Sequence, residues 1–330
     1  MRVLLLSNQP ERTTRLMMFK GTLEGLGFDV IVPRFSTRSW LGVAKEARQA
    51  LQREKPDVVQ LFNVPDIIYH GLTKLKGSCF QKLIYDYRSP WGVELQMAFG
   101  PVARPVGEHF ERELAKGSDL ITAVNRPLAD KAASYKEAEG KPLFIVPNYP
   151  AQSFLEMSER SSNQKVPEEE AIIFMGRISR QEGIGNLLGL IRNIPEQQFW
   201  IIGDGPLSRW YLRKLPANAR FFGWQPHENV AALIRKAKIC LIPHSETLLT
   251  PYATDKSVWK LNEYLALGKI VVASGVTREE NRKNLVVVKS RELRDAVREN
   301  LHREPERLGP EDYRFWDGND KIIREVYESL

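Results

Sequence analysis

Cysteine is nearly missing from this chain: Cys79 and Cys240 are the only two in 330 residues. Two thiols so far apart build no disulfide framework and no metal-ligand spacing, and they suit a reducing compartment. Long apolar runs are missing as well. Stretches such as 3–6 and 171–175 fall far short of the roughly 20 residues needed to cross a bilayer. The N-terminus enters a strand at once, without a basic-then-apolar leader, which argues against a secretory signal. After that first strand stands Asn8-Gln9-Pro10 rather than a Gly-x-Gly-x-x-Gly run, so a nicotinamide enzyme is disfavoured. Aromatic and basic residues do not interleave in the manner that stacks bases, which makes nucleic acid the weakest partner. None of the five histidines (His70, His109, His227, His244 and His302) falls in a catalytic or metal-binding motif. His244 borders a strand end, where a plain loop role is the simpler reading.

Charge is present but modestly one-sided. The net charge is +7, with 42% hydrophobic and 27% charged residues, enough to bury substantial cores. Residues 1–150 carry 21 Lys and Arg against 16 Asp and Glu, so most of the excess lies in the first half. A phosphorylated small molecule and an anionic membrane surface are the partners this suits, beside a solvated face with no partner. Arg34, Arg38, Trp40 and Lys45 are the membrane candidates, with Trp40 and Leu41 alternatively opening a core-facing helix.

Strand and helix patterns alternate along the whole chain. The first half reads as strands at 2–7, 29–32, 57–62, 82–85, 119–124 and 143–146, with helices such as 14–26, 41–54, 108–116 and 127–136 between them. Repeated βα units with Val-, Ile- and Leu-rich strands predict a parallel sheet covered on both faces. A polar stretch at 157–170 reads as a linker. The rhythm then restarts with strands at 171–175, 199–202, 220–222, 239–242, 270–273 and 285–288. Helices are predicted at 183–192, 207–215, 227–236, 256–267 and 291–302. Two Rossmann-like domains are the economical expectation, with ligands at the carboxyl ends of the strands.

Several strand ends carry chemistry. Gly176-Arg177 joins a glycine that lets backbone approach a ligand to a guanidinium fork suited to phosphate; a surface salt bridge is the ordinary alternative. Gly203-Asp204-Gly205-Pro206 is a second turn, with Asp204 read as a helix cap. Phe222-Gly223-Trp224 is a third, open to a flat base. Residues 255–274 form a helix, a Gly268 cap and a buried strand, with Lys260 and Glu263 one turn apart. N–H groups where that helix starts, near Asp255, Lys256 and Ser257, suit a phosphate, and a carboxylate further in suits a ribose diol.

These pieces occur in one order: Gly176-Arg177, Gly203-Asp204-Gly205-Pro206, Phe222-Gly223-Trp224, Pro243, Lys260-Leu261-Asn262-Glu263-Tyr264 and Gly268-Lys269-Ile270-Val271-Val272-Ala273-Ser274. The series resembles the donor domain of the glycogen-synthase-like "group one" retaining glycosyltransferases. In the first half, Asp57 to Asp66, Leu83-Ile84-Tyr85-Asp86-Tyr87-Arg88, Ser118 to Val124 and Val146-Pro147-Asn148-Tyr149-Pro150 resemble that family's acceptor domain. The resemblance implies an α/β, GT-B fold of two facing Rossmann-like domains with parallel sheets. The implied acceptor-binding domain is 1–156, the linker 157–170, the donor-binding domain 171–312, and a closing helix at 313–330 crosses back to the first domain.

For the site, the resemblance implies Arg177 as the diphosphate clamp, Glu263 on the ribose and Asp255 on the transferred sugar. Lys260 is a phosphate ligand or a helix-face residue. Arg177, Asp255 and Lys260 are thus the catalytic candidates. The donor set is Gly176, Arg177, Gly203, Gly205, Gly223, Trp224, Lys256, Ser257 and Glu263. Asn63, Asp66, Asp86 and Arg88 are the acceptor-side candidates, with structural capping as the alternative. No cofactor and no metal are expected, the donor being a substrate. The implied partners are a UDP-, GDP- or ADP-linked sugar and a glycan or lipid-linked acceptor. The implied location is cytoplasmic, with peripheral contact on the inner membrane face.

Two departures stand out. The family's Lys before the glycine that opens the first donor-domain helix is Glu182 here, before Gly183. A carboxylate about 4 Å from a diphosphate would be repelled by roughly 4 kcal/mol at an effective dielectric of 20. Either Glu182 turns away and Arg180, Lys256 or Lys260 substitutes, or activity is compromised. The glycine pair usual after the first strand is also replaced, by Asn8-Gln9-Pro10-Glu11-Arg12. Two further readings stay open: a donor-binding but weakly active partner subunit, and a sugar-nucleotide epimerase.

Overall fold

The computed structural model describes residues 1–160, 167, 170–205, 208–213 and 215–330. They form two compact units, Met1–Asn148 with Trp316–Leu330, and Tyr149–Phe315. The first unit runs β1 (Arg2–Leu6), α1 (Thr14–Gly25), β2 (Asp29–Ile31), α2 (Trp40–Glu54), β3 (Val58–Phe62), β4 (Lys82–Tyr87), α3 (Trp91–Phe99), α4 (Arg104–Gly117), β5 (Leu120–Ala123), α5 (Arg126–Ala133) and β6 (Leu143–Ile145). Its sheet is parallel throughout, in the order β2-β1-β3-β4-β5-β6. The inner strands are apolar on both faces, as a sheet sandwiched between helices requires, and β3 is buried along its whole length.

The second unit begins with α6 (Gln152–Arg160) and continues β7 (Ile172–Met175), α7 (Ile184–Asn193), β8 (Phe199–Ile202), α8 (Ser208–Tyr211), β9 (Ala219–Gly223), α9 (His227–Lys236), β10 (Ile239–Pro243), α10 (Trp259–Ala266), β11 (Ile270–Ser274), β12 (Leu285–Val287) and α11 (Leu293–Asn300). Its parallel sheet has the order β12-β11-β10-β7-β8-β9. Alternate residues of each strand feed two cores. Ile173, Trp200, Cys240 and Val271 pack with α9 and α10 residues such as Ile234 and Leu261 on one face. Ile172, Phe199, Ile239 and Ile270 pack with α7 and α11 residues such as Leu187 and Val297 on the other. This is the period-2 split of a doubly covered sheet.

The chain then re-enters the first unit. Trp316 Nε1 donates to Thr22 Oγ1 at 3.0 Å, Asn319 Nδ2 donates to the Pro147 carbonyl at 3.0 Å, and α12 (Asp320–Glu328) delivers Tyr327 to the buried Gln60.

Differences from expectation are local and physical. Two helices, α3 and α6, were not anticipated. Residues 157–160 of the expected linker form the last turn of α6, while 161–166, 168 and 169 lie outside the described residues, as do Pro206, Leu207 and Lys214 of the expected turn and helix at 203–215. Ser39 caps α2 by accepting from Gly42 N–H, which lets the helix start at Trp40. Trp40 does open a helix that faces the core through Val43, Ala47, Ala50 and Leu51, while Trp40 and Leu41 themselves are 47% and 86% exposed. No helix among the described residues is long and apolar enough to cross a membrane.

Candidate functional site

In the second unit the strand order reverses between β7 and β10, the chain winding outward to β9 before returning. In sheets of this kind the loops leaving two such strands diverge, and the carboxyl ends at this switch point are the usual ligand position. Gly176 ends β7 there. A side-chain carbon on it would lie 3.0 Å from both Glu182 Oε2 and Lys260 Nζ. These two charges form a close ion pair directly over the glycine, with Lys260 Nζ also 5.1 Å from the Phe174 ring centre. His244, just past β10, brings Nε2 to 3.4 Å from the same carboxylate oxygen, too poorly aligned for a hydrogen bond.

Electrostatics follow from that packing. Burial works against the Glu182 carboxylate, but Lys260 and then His244 overcome it and lower its pKa from 4.5 to about 2. Burial also pushes His244 below its ordinary 6.5, despite the carboxylate beside it. The cluster is therefore a carboxylate, an ammonium and a neutral imidazole at neutral pH. Arg177 is exposed next to Gly176 and has no partner among the described residues.

Gly203 is forced by its neighbour. A side-chain carbon there would meet the Gly176 carbonyl at 1.9 Å, because Gly176 N–H donates to Ile202 and Gly203 N–H to Gly223. Gly205 similarly backs onto Ile178. These glycines lace adjacent strand ends together instead of leaving room for a ligand. Asp204 Oδ1 accepts from Gly205 N–H and Ser208 Oγ, which ties the turn before α8 together without bonding an amide of that helix among the described residues. Trp224, after β9, is 73% exposed.

On α10, Lys260 and Glu263 lie one turn apart. Glu263 Oε1 is 3.0 Å from His227 Nε2, and that hydrogen bond raises the histidine's pKa. Phe154 stacks on the same imidazole, ring centres 4.9 Å apart. The helix begins at Trp259, not at 256. The amides of residues 255–257 are turned inward: Asp255 N–H bonds Thr277, Lys256 N–H bonds Thr254 Oγ1, and Ser257 N–H bonds the Thr254 carbonyl. This corrects the expected phosphate cradle at 255–257, whose donors are already used. Lys256 pairs with Glu280 at 3.0 Å. Asp255 is fully buried, with Oδ1 accepting from Glu279 N–H at 2.6 Å and Oδ2 without a partner among the described residues. Burial raises its pKa, opposed by the Glu279 amide and by Arg282. An enclosed carboxylate braces the 279–282 loop and does not meet a sugar.

The first unit's acceptor candidates are enclosed too. Asp86, at the end of β4, takes a bidentate fork from Arg15 (Nε and Nη2, both 2.8 Å) and a 2.6 Å hydrogen bond from Thr122. Arg15 Nη1 continues to Val146 O and Asn148 Oδ1. No oxygen of Asp86 is left for a ligand, so its expected acceptor role is corrected to a staple joining α1, β4, β5 and the segment after β6. Asn63 is clamped by Ser89 O and by the Arg88 amide, and the Arg88 side chain returns to the Asn63 carbonyl. Asp66 is buried, accepting from Tyr85 OH at 2.7 Å, and burial, then Glu111, raises its pKa well above 3.8. Asn63, Asp66 and Arg88 thus form an internal network.

Residues 169–303 match the family model described as "Glycosyl transferases group 1". The match covers the bulk of the second unit and less than half of the chain. No curated protein matches the chain by sequence. Among solved structures, sucrose-phosphate synthase from Thermosynechococcus elongatus is similar at 16% identity and TM-score 0.68, over 99% of this chain and 94% of that one. Anabaena HepE in complex with UDP and glucose is similar at 13% identity and TM-score 0.65, over 100% of each chain. The UDP-GlcNAc 2-epimerase of Methanocaldococcus jannaschii is similar at 12% identity and TM-score 0.57, over 99% of each. At such identities the likeness is one of fold, and the fold is GT-B.

Within the family-matched segment, the structure gathers Gly176, Arg177 and Lys260 at the end of β7 and adds two residues the sequence reading undervalued. Glu182 was read as a liability, and His244 as a bland loop residue. A hint was available for both, since each follows a strand that ends at the switch point. Arg282, packed over Tyr149 with Nη1 3.2 Å from Asn262, had no signal in its own surroundings.

Proposed function

We propose that this protein is a retaining glycosyltransferase moving a sugar from a nucleotide-diphosphate sugar to a hydroxyl acceptor. The observation that carries the reading is the Glu182–Lys260 pair over Gly176, inside the family-matched segment, with Arg177 exposed beside it. Lys260 cancels the charge of Glu182 in advance, so the diphosphate meets a neutral pair and one unpaired guanidinium. The repulsion that Glu182 would otherwise impose is thereby removed.

In this reading the donor's diphosphate lies on Arg177 with Lys260 behind it, Glu263 takes the ribose and Trp224 offers a face to the base. The bond between the sugar's anomeric carbon and the phosphate oxygen breaks, and a bond to the acceptor oxygen forms on the same face. The acceptor's proton passes to the departing phosphate oxygen. Arg177 stabilises the negative charge that develops there. The leaving group is the substrate's own, so the scheme invokes no cofactor. Asp255 acts at a distance, through the 279–282 loop.

UDP is the first nucleotide to try, because a UDP complex is described for a structural neighbour. A thermal-shift series with UDP-, GDP- and ADP-sugars tests the reading. Ligand at about 100 times its dissociation constant adds about 2.7 kcal/mol of stability. If none of the three stabilises the protein, the donor reading fails. The weakly active alternative draws on Lys260 being engaged by Glu182, and it predicts donor binding without turnover on any acceptor. An epimerase, whose fold the chain shares, would release an epimer from the donor alone. Contact with an anionic membrane through Arg38, Trp40 and Lys45 is part of the proposal, since Trp40 and Leu41 are exposed. Co-sedimentation with anionic vesicles at low salt checks it.

A further inference from the structure

With Asn63, Asp66 and Asp86 enclosed, an apolar-walled concavity of the first unit is found elsewhere. A cavity of about 500 Å3 sits beyond the carboxyl ends of β1 and β2, within the volume range of small-molecule sites. Its walls are apolar: Pro10, Met17, Val32, Pro33 and Phe35. Pro10 stands in the loop where the family's glycine pair would be. It opens a short 3-10 turn and has no N–H to offer an anion, so this loop is a wall and not a phosphate cradle. Met17 is 46% exposed on α1, an apolar side chain with no core to join.

The rim carries charge of both signs. Lys20 is held by Glu24 at 2.6 Å, and Arg34 and Glu11 have no partner among the described residues. The four charges cancel, which gives a phosphate headgroup no net attraction. A free guanidinium beside a free carboxylate suits hydroxyl groups, to which the one donates and from which the other accepts.

We propose that this cavity holds the apolar body of a neutral amphiphilic acceptor, with its sugar or polyol hydroxyls at Arg34 and Glu11. The assignment rests on reading the first unit as the acceptor side, and it names the acceptor class: an uncharged glycolipid-like molecule, not a phosphate-linked one.

Calorimetry on the full chain, with n-octyl β-glucoside below its micelle concentration, glucose and octyl phosphate, tests it. Octyl glucoside is expected to bind at least about tenfold more tightly than glucose, since burying an alkyl chain is worth that much. Met17→Glu sits at an exposed helix position and should weaken octyl glucoside binding about tenfold. Phe35→Ala should weaken it in the same direction. Equal binding of glucose and octyl glucoside, tighter binding of octyl phosphate, or an unchanged affinity in Met17→Glu would each overturn the proposal. UDP binding by the same preparations keeps the two readings apart. In the unsubstituted chain, absence of octyl glucoside binding with UDP binding intact removes this pocket alone, and the reverse removes the donor site alone.

Discussion

Both units are six-stranded parallel sheets, yet one carboxylate near the strand ends of each, Asp66 and Glu182, is settled by opposite electrostatics. At the ends of β3 and β4, Asp66 is buried among Tyr85, Asn63 and Glu111, and burial favours its neutral form. At the ends of β7 and β10, Glu182 is half-buried next to an ammonium, and the pair favours its charged form. One unit keeps its polar groups as an internal scaffold, whereas the other keeps a cationic surface at its switch point. The strand orders match this division: the first sheet reverses between β1 and β3, the second between β7 and β10. The comparison teaches that a carboxylate at a strand end says little by its position, and that what neutralises it decides its job.

The largest test breaks the first unit's scaffold. Asp86→Ala leaves Arg15, only 2% exposed, without its counter-ion, and should destabilise that unit by about 3–5 kcal/mol. Denaturant unfolding with hydrogen exchange read separately on each unit checks this, and protection in β7–β12 should stay unchanged. Arg177→Ala addresses the second unit instead. It should lower kcat by about a hundred- to a thousandfold with little effect on stability, as for loss of one contact to developing charge. Unchanged turnover in that variant would move the leaving-group site away from the switch point.

The ion pair offers a finer test. Lys260→Ala strands the Glu182 carboxylate facing the donor and should weaken nucleotide-sugar binding about tenfold or more. Glu182→Gln frees the ammonium and should tighten it by about threefold to tenfold. If both variants shift affinity the same way, the pair is a packing feature only.

The smallest effect is in pH. The Glu182 pKa is lowered on folding, so its contribution is complete above 4.5 and is lost as pH falls toward 2. The Asp66 pKa is raised, so its contribution is complete below 3.8 and is lost as pH climbs through the raised value. Hydrogen exchange should show the first unit gaining protection as pH is lowered toward 3.8, and the second losing it as pH falls from 4.5 toward 2.

Much of the fold was legible. All twelve strands were placed, since Val-, Ile- and Leu-rich runs bounded by turns are a local signal. Gly268 ends its helix as expected, with φ +69 and Lys269 N–H reaching back to Tyr264 O. The helices α3 and the start of α4 were not legible, for one reason. Gly92 and Gly107 are the contact between the two helices: a side-chain carbon on Gly107 would lie 2.5 Å from Gly92 Cα. A glycine that permits close approach and one that breaks a helix look the same in sequence.

The site was legible only in part. Arg177 and Gly176 follow directly from a strand end. The fates of Asp86, Asp255 and Lys256 did not, since each depends on a partner in another element: Arg15, the Glu279 amide and Glu280.

The amino-acid sequence alone determined the two rounds of alternating strand and helix and the order of the strand-end turns, because apolar periodicity and turn chemistry are properties of neighbouring residues. Tertiary structure alone decided which charged strand-end residues are spent inside and which remain at the switch point. Arg15 meets Asp86 across 71 positions and Lys260 meets Glu182 across 78. A carboxylate's charge state and exposure are set by such distant neighbours, through burial and Coulomb attraction that exist only once the sheet has formed.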